Sequence, residues 1–257
     1  MHLRDVATKV REKFGSRERA TVGDFSIPAS EAPRLAAEAT SDLAKTFYAH
    51  EGRLIHKWVH FFEAYERHFA RYRGRPVRML EIGVFQGGSL EMWREYFGID
   101  AVLFGVDINP DCAARVDAPT QVRIGSQDDP DFLRSVVAEM GGIDIVLDDG
   151  SHIGRHQVAS FQTLFPLLEE GGLYAIEDLH SSYWGDGYEG GYQRPGTGIE
   201  FLKQMIDDMH APYHDHAPGT VAGADIAAMT FHDSMAFLEK RRAVRPGHIQ
   251  VGGKPQR

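Results

Sequence analysis

The run Leu80-Glu81-Ile82-Gly83-Val84-Phe85-Gln86-Gly87-Gly88-Ser89 constrains the fold more than any other stretch of the chain. An apolar strand ends at an acid, a glycine-rich turn follows, and an amphipathic helix then carries Leu90, Trp93 and Phe97. A strand, tight turn and helix in that order present backbone N–H groups to a nucleotide-like ligand. The spacing is not that of a dinucleotide fold. Three residues separate Gly83 from Gly87-Gly88, so G-x-G-x-x-G is absent. An acid at this turn would repel a pyrophosphate, but it suits the cationic amino-acid end of S-adenosylmethionine. Glu81, Gly83, Gln86 and Ser89 are therefore the first cofactor-binding candidates.

From residue 77 onward, strand-like and helix-like segments alternate. Strands are predicted at 77–82, 101–106, 120–124, 143–147 and 172–176, with helices at 88–97, 109–115, 130–140 and 153–169. This alternation implies an α/β, Rossmann-like sheet, mostly parallel, with right-handed crossovers. A helix at 197–210 and an antiparallel hairpin, 226–231 with 235–239, close the domain. Between them, residues 180–198 are rich in glycine and aromatics, which suits a functional loop. Ahead of the sheet, helices are predicted at 30–47 and 53–72, the second with an aromatic stripe of Leu54, Trp58, Phe61, Phe62, Tyr65 and Phe69. The expected organisation is an N-terminal arm with helices (1–76), the sheet domain (77–240) and a basic flexible tail (241–257).

Composition narrows the class of partner. A formal charge of −9 disfavours nucleic acid. One cysteine, Cys112, permits no internal disulfide and no thiolate metal cluster. No apolar run is long enough to cross a membrane, and residues 1–19 are charged throughout, unlike a signal peptide. The expectation is a cytoplasmic protein without membrane insertion. The helical N-terminus and the apolar hairpin point to a homo-oligomer.

In an open parallel sheet, ligands bind beyond the carboxyl ends of the strands. Asp107 ends the second strand, 24 residues after Gly83, where an acid would hold ribose hydroxyls or cap a turn. Gln127 and Asp128, after the third strand, could border an adenine ring, whereas Asp129 before Pro130 reads as a helix cap. The fourth strand ends in Asp148-Asp149 and the fifth in Glu177-Asp178. Paired carboxylates at neighbouring strand ends are costly to desolvate without a positive partner. Asp149, Glu177 and Asp178 would make an all-oxygen cage for Mg²⁺ or Ca²⁺, with Mn²⁺ an alternative; capping and arginine pairing are the structural reading of the same acids. His152, three residues past Asp149, is placed to serve as general base, or simply to start a helix. His180 is a second candidate near this edge. His56 and His60, four apart, are expected to line or underlie a substrate pocket, with Tyr183 and Trp184 from the aromatic loop.

These residues together resemble the class I, metal-dependent sugar O-methyltransferases that act on natural-product glycosides, the macrocin and mycinamicin type and the rhamnosyl O-methyltransferases. The resemblance covers about residues 52–240. It rests on His56-Lys57-Trp58-Val59-His60, Tyr65-Glu66-Arg67-His68-Phe69, Glu81 through Ser89, Gly125-Ser126-Gln127-Asp128, Asp148 through His152, Glu177 through His180, and Phe231-His232-Asp233-Ser234. It implies an S-adenosylmethionine- and Mg²⁺-dependent O-methyltransferase acting on a sugar-bearing small molecule. Glu81 and Gly83 would hold the methionine part, Asp148 its amino group, Asp107 the ribose, and Gln127 with Asp128 the adenosine edge. Asp149, Glu177 and Asp178 would bind Mg²⁺, and His152 would be the base. Members of this group carry a larger N-terminal region than the 76 residues found here, which leaves acceptor size and assembly open. A metal-dependent catechol or phenol O-methyltransferase is the alternative enzyme. A 2-oxoglutarate hydroxylase built on His214-Asp215-His216 conflicts with the strand–helix alternation.

Overall fold

The structure is a computed structural model that describes residues 25–185, 187–216, 225–242 and 246–253. Residues 1–24 of the expected arm, and 243–245 and 254–257 of the expected tail, lie outside the described residues. The chain forms two compact units, Met1–Glu38 and Ala39–Arg257. In the first, a 3₁₀ turn (Ala29–Glu31) runs into α1 (Ala32–Glu38), where Arg34 bridges Glu31 and Glu38.

The second unit takes in both the segments ahead of the sheet and the sheet itself. Two helices come first, α2 (Asp42–Ala49) and α3 (Phe61–Phe69). Then follow β1 (Arg78–Ile82), α4 (Gly88–Phe97), β2 (Val102–Asp107), β3 (Gln121–Ile124), α5 (Pro130–Met140) and β4 (Ile143–Asp148). The chain continues through α6 (Gly154–Leu164), β5 (Leu168–Ile176), α7 (Gly198–Met209), β6 (Ile226–His232) and β7 (Met235–Lys240). The strands form one sheet in the order β3-β2-β1-β4-β5-β7-β6. Strands β1 to β5 are parallel, and β7 runs antiparallel between β5 and β6.

Alternation along the strands divides the core into two layers. Met79, Leu103, Ile145, Leu147 and Phe237 pack on α2, α3 and α4 through Leu43, Tyr65 and Trp93. Their neighbours Leu80, Phe104, Val146, Tyr174 and Leu238 pack on α5, α6 and α7 through Leu133, Phe161 and Leu202. Register then aligns the strand ends. Ile82 pairs with Val106 and Asp148, and Asp148 with Ile176. The next residues, Gly83, Asp107, Asp149 and Glu177, therefore share one edge, and the strand order reverses between β1 and β4 at that edge.

Three segments differ from expectation. The helix predicted at 30–47 is broken, because Ser41 caps α2 by accepting from the Ala44 N–H. The helix predicted at 53–72 begins only at Phe61. Residues 51–60 stay non-helical because the Arg53 N–H is held by Glu91 at 2.8 Å and Lys57 is drawn toward the strand-end acids. Leu54, assigned to the aromatic stripe, is 64% exposed. The helix predicted at 153–169 ends early, in a 3₁₀ turn holding Pro166, and β5 starts at Leu168. Asp129 caps α5 as expected, accepting from the N–H groups of Asp131 and Phe132.

Gly83 shows why the first turn needs glycine. Its φ is +95°, and an added Cβ would lie 2.1 Å from the Asp149 carbonyl oxygen. Gly74 has φ +68° but nothing within 4 Å. Gly83→Ala should therefore cost more than about 3 kcal/mol of unfolding free energy, against about 1 kcal/mol for Gly74→Ala. Urea denaturation of the two variants side by side checks this; equal losses would contradict the close-approach argument.

Candidate active site

The aligned strand ends open into a cavity of about 380 Å³. Its walls are the turn at Gly83–Phe85, the segment 54–58, and the ends of β2, β4 and β5. A second cavity of about 200 Å³ adjoins it at Gly83, Asp107 and Gly150 and runs between Gly125–Gln127 and Ser151–His156. The pair lies at the β1/β4 crevice, where an open α/β sheet takes an elongated nucleoside ligand.

Glu81 is fully buried below the turn, where Ser89 Oγ donates at 2.8 Å and Trp93 Nε1 at 3.3 Å. Burial pushes its carboxyl up to about 7, against the opposing pull of Lys57. Asp107 lines both cavities and pins the turn. Its carboxylate accepts from the N–H groups of Val84 (2.9 Å), Phe85 (3.3 Å) and Asn109 (2.9 Å). Burial raises this carboxyl, but the backbone donors outweigh it and hold the group below the usual range. Cys112 lines the larger cavity as a neutral thiol, pushed up to about 11 by burial and by Asp107.

Gln127 lines the smaller cavity with its amide clamped at both ends, Nε2 donating to Asp148 (3.1 Å) and Oε1 accepting from the Ser151 N–H (2.7 Å). Asp128 accepts from Ser126 Oγ and lies 3.4 Å from His156 Nε2. Asp148 is placed differently from the expected contact with a methionine amino group. It is fully buried, lines neither cavity, and accepts from Ser160 Oγ (2.5 Å), Gln127 and Tyr174 OH (3.2 Å). Gln86 also lines neither cavity, whereas Gly83 and Ser89 do.

At the β4 and β5 ends the acids divide into two layers. Atoms able to ligate a metal on Asp149, His152 and Asp178 all lie within 4.8 Å of one another. His152 Nε2 is 3.4 Å from Asp178 Oδ2 and 3.9 Å from Asp149 Oδ1. Asp178 Oδ1 and His152 Nδ1 are buried and have no hydrogen-bond partner among the described residues. Both residues hold left-handed backbone, with φ of 54° and 56°, a strain that the surrounding packing must sustain. Two carboxylates, one oxygen orphaned, beside an open cavity fit a hard divalent cation. Glu177 stands behind them, 1% exposed. Both its oxygens accept from Lys57 Nζ (2.8 and 2.9 Å), and Tyr65 OH donates to one of them. Burial and Asp149 push this carboxyl well above the ordinary range, against Lys57.

His56 lines the cavity, while His60 reaches away to the Asp233 carbonyl at 3.2 Å. His180 is gripped by Ser234, whose hydroxyl meets its ring and its N–H and whose carbonyl takes the Leu179 N–H. The His180 ring packs between Trp58 (5.1 Å) and Trp184 (4.3 Å), an aromatic wall beside Asp178. Tyr183 is half exposed and lines neither cavity. Sequence reasoning gave no separate role to Lys57, Tyr65 or Ser234. The available signal was charge: four strand-end acids, with no basic residue beside them in the sheet segments, require a cation from elsewhere.

The chain is similar to several known methyltransferases. The family described as "Methyltransferase domain" matches residues 80–179. The chain is 41% identical to an 8-demethyl-8-alpha-L-rhamnosyl tetracenomycin-C 2'-O-methyltransferase of Streptomyces olivaceus, over 72% of this chain and 52% of that one. It is 35% identical to an L-olivosyl-oleandolide 3-O-methyltransferase of Streptomyces antibioticus, over 97% and 71%. Among solved structures, the MycE methyltransferase of the mycinamycin pathway, in complex with Mg, SAH and mycinamycin VI, superposes with a TM-score of 0.66 at 34% identity. That match covers 82% of this chain and 54% of the other. The chain thus spans about half the length of several of these relatives.

The buried Glu81 generates a pH prediction. A carboxyl raised from 4.5 to about 7 binds its proton more tightly in the folded chain, so stability falls as pH rises between those values. Relative to Glu81→Gln, the wild type should lose on the order of 1–3 kcal/mol from pH 4.5 to 7. Urea denaturation across that range reads it, and a constant difference would contradict the buried placement.

Proposed function

This chain belongs to the family of sugar O-methyltransferases that includes the rhamnosyl and olivosyl enzymes above, and on that premise we propose that it transfers a methyl group from S-adenosylmethionine to a hydroxyl on a natural-product sugar. The observation that carries this reading is the convergence of Asp149, Asp178 and His152 within 4.8 Å at the mouth of the crevice.

Gly83, Ser89 and the open start of α4 would hold the methionine end, Asp107 the ribose hydroxyls, and Gln127 with Asp128 and His156 the adenine edge. A sulfonium supplies an already activated methyl group, so the protein's task is chiefly to place donor and acceptor in line. Asp149 and Asp178 would hold Mg²⁺, with Glu177, whose oxygens accept from Lys57 and Tyr65, as a third oxygen donor. When bound, a divalent cation lowers the pKa of a coordinated alcohol and orients vicinal hydroxyls. His152 cannot both ligate and accept a proton. A hard cation prefers oxygen, so we assign the imidazole to proton transfer. His152 Nε2 takes the hydroxyl proton as the acceptor oxygen attacks the methyl carbon and the C–S electron pair leaves on sulfur. Asp178 Oδ2, 3.4 Å away, stabilises the resulting imidazolium. Trp58, which lines the larger cavity and packs against His180, offers the acceptor ring an apolar face.

No helix among the described residues is long and apolar enough to cross a membrane. Cytoplasmic action and a homo-oligomer belong to this same reading, the latter supported by the outer strand β6, where Phe231 is 45% exposed.

The test is transfer from labelled S-adenosylmethionine to a panel of rhamnosylated polyketides. EDTA should abolish turnover and Mg²⁺ restore it. His152→Ala should lose about 10²–10⁴-fold in kcat while still binding S-adenosylhomocysteine, and Asp149→Ala should lose at least about 10²-fold. Turnover that survives both EDTA and Asp149→Ala would sink the metal-assisted mechanism.

A further inference from the structure

Lys57 is the cation on which the inner acids converge. Its side chain is 2% exposed, and its ammonium lies 2.5 Å from Asp149 Oδ2, 2.8 Å from Glu177 Oε1 and 3.9 Å from Glu81 Oε1. Among the described residues no other Lys or Arg pairs with these three carboxylates. Asp149 is shared: one oxygen faces Lys57, and the other faces His152 and the open cavity. A divalent ion entering beside Asp149 and Asp178 therefore meets an ammonium already bonded to one of its ligands and to the neighbouring Glu177.

We propose that Lys57 is an intramolecular competitor of the divalent cation, its ammonium occupying Asp149 and Glu177 and so setting how tightly the site holds metal. The inference rests on the reading of this site as a cation site. Its physical basis is charge. An ammonium at hydrogen-bond distance from a ligand repels the ion and withholds two carboxylates from it. Without that ammonium, the buried Glu81 and Glu177 and the partly exposed Asp149 would have no Lys or Arg counter-charge among the described residues, and a dication is the species best able to supply it. Lys57 is thereby a positioning residue. It keeps Asp149 and Glu177 in place when metal is absent, and it keeps metal affinity low enough for the site to load and empty.

The experiment is Mn²⁺ binding to the metal-stripped full chain saturated with S-adenosylhomocysteine, read by paramagnetic resonance of free Mn²⁺ and by the melting temperature with and without metal. Wild type should bind one Mn²⁺. Lys57→Gln keeps a hydrogen-bond donor but loses the charge. It should bind at least about tenfold tighter and show a larger metal-induced rise in melting temperature. Lys57→Arg, which keeps the charge, should bind Mn²⁺ more weakly than Lys57→Gln. If Lys57→Gln folds only with Mn²⁺ and unfolds on chelation, the inference is again supported, because the metal replaces the ammonium. Failure of that variant to fold even with Mn²⁺ overturns it. So does Lys57→Gln binding no tighter than wild type, or Lys57→Arg binding as tightly as Lys57→Gln. A wild type and variant that both bind no Mn²⁺ would overturn the metal-dependent reading as well, which separates the two failures.

Discussion

Burying carboxylates at the ends of three adjacent strands costs far more than a fold of this size can leave uncompensated. Glu81 and Glu177 are sealed from solvent, and Asp149 is one-fifth exposed. What makes the arrangement tenable is one ammonium, with Ser89, Trp93 and Tyr65 supplying further donors. Much else follows from that requirement. Lys57 reaches the acids from residues 51–60, which leave helical geometry and line the larger cavity through residues 54–58. That path places His56 and Trp58 in the cavity wall, and the helix that resumes at Phe61 brings Tyr65 beneath Glu177. The segment ahead of the sheet is thus part of the site's electrostatics as well as its cover.

The two halves of the crevice are held by different means. Around the smaller cavity the polar groups are locked by the protein itself. Asp107 is fixed by three backbone amides, and Gln127 is fixed between Asp148 and the Ser151 N–H. Such pre-organisation suits a ligand that is the same at every turnover. At the ends of β4 and β5, Asp178 and His152 hold left-handed backbone and keep polar atoms unpartnered among the described residues. Groups in that condition are poised for partners that arrive with the reaction. Ser234 at the β6–β7 turn steadies that end, because it anchors the backbone of Leu179 and the ring of His180 next to Asp178.

The strand ends, and hence the alignment of Gly83, Asp107, Asp149 and Glu177, followed from hydrophobic period and the placement of glycine and acid. Those are local signals, and the sheet register preserved them. The division of acids into a solvent-facing pair and a buried one did not follow, since Glu177 and Asp178 are adjacent and chemically alike in sequence. Their separation arises from the turn at Asp178, whose positive φ sends the two side chains to different surroundings. Asp148 and Asp149 divide similarly, one into a cluster with Ser160 and Tyr174, the other into the cavity. Lys57 was obscured for another reason. Helical periodicity across 53–72 is satisfied by aromatics from Phe61 onward, and a buried charge pair 120 residues apart in sequence overrode it upstream.

Two binding events in the wild-type chain separate a metal-assisted site from a metal-independent one. The most direct measurement is calorimetric titration of metal-stripped protein, first with S-adenosylhomocysteine and then with a rhamnosylated polyketide, in EDTA and in Mg²⁺. On the proposed function, the nucleoside binds in both conditions and the acceptor binds only with Mg²⁺. Folded protein that ignores S-adenosylhomocysteine, or an acceptor that binds equally well in EDTA, would contradict it.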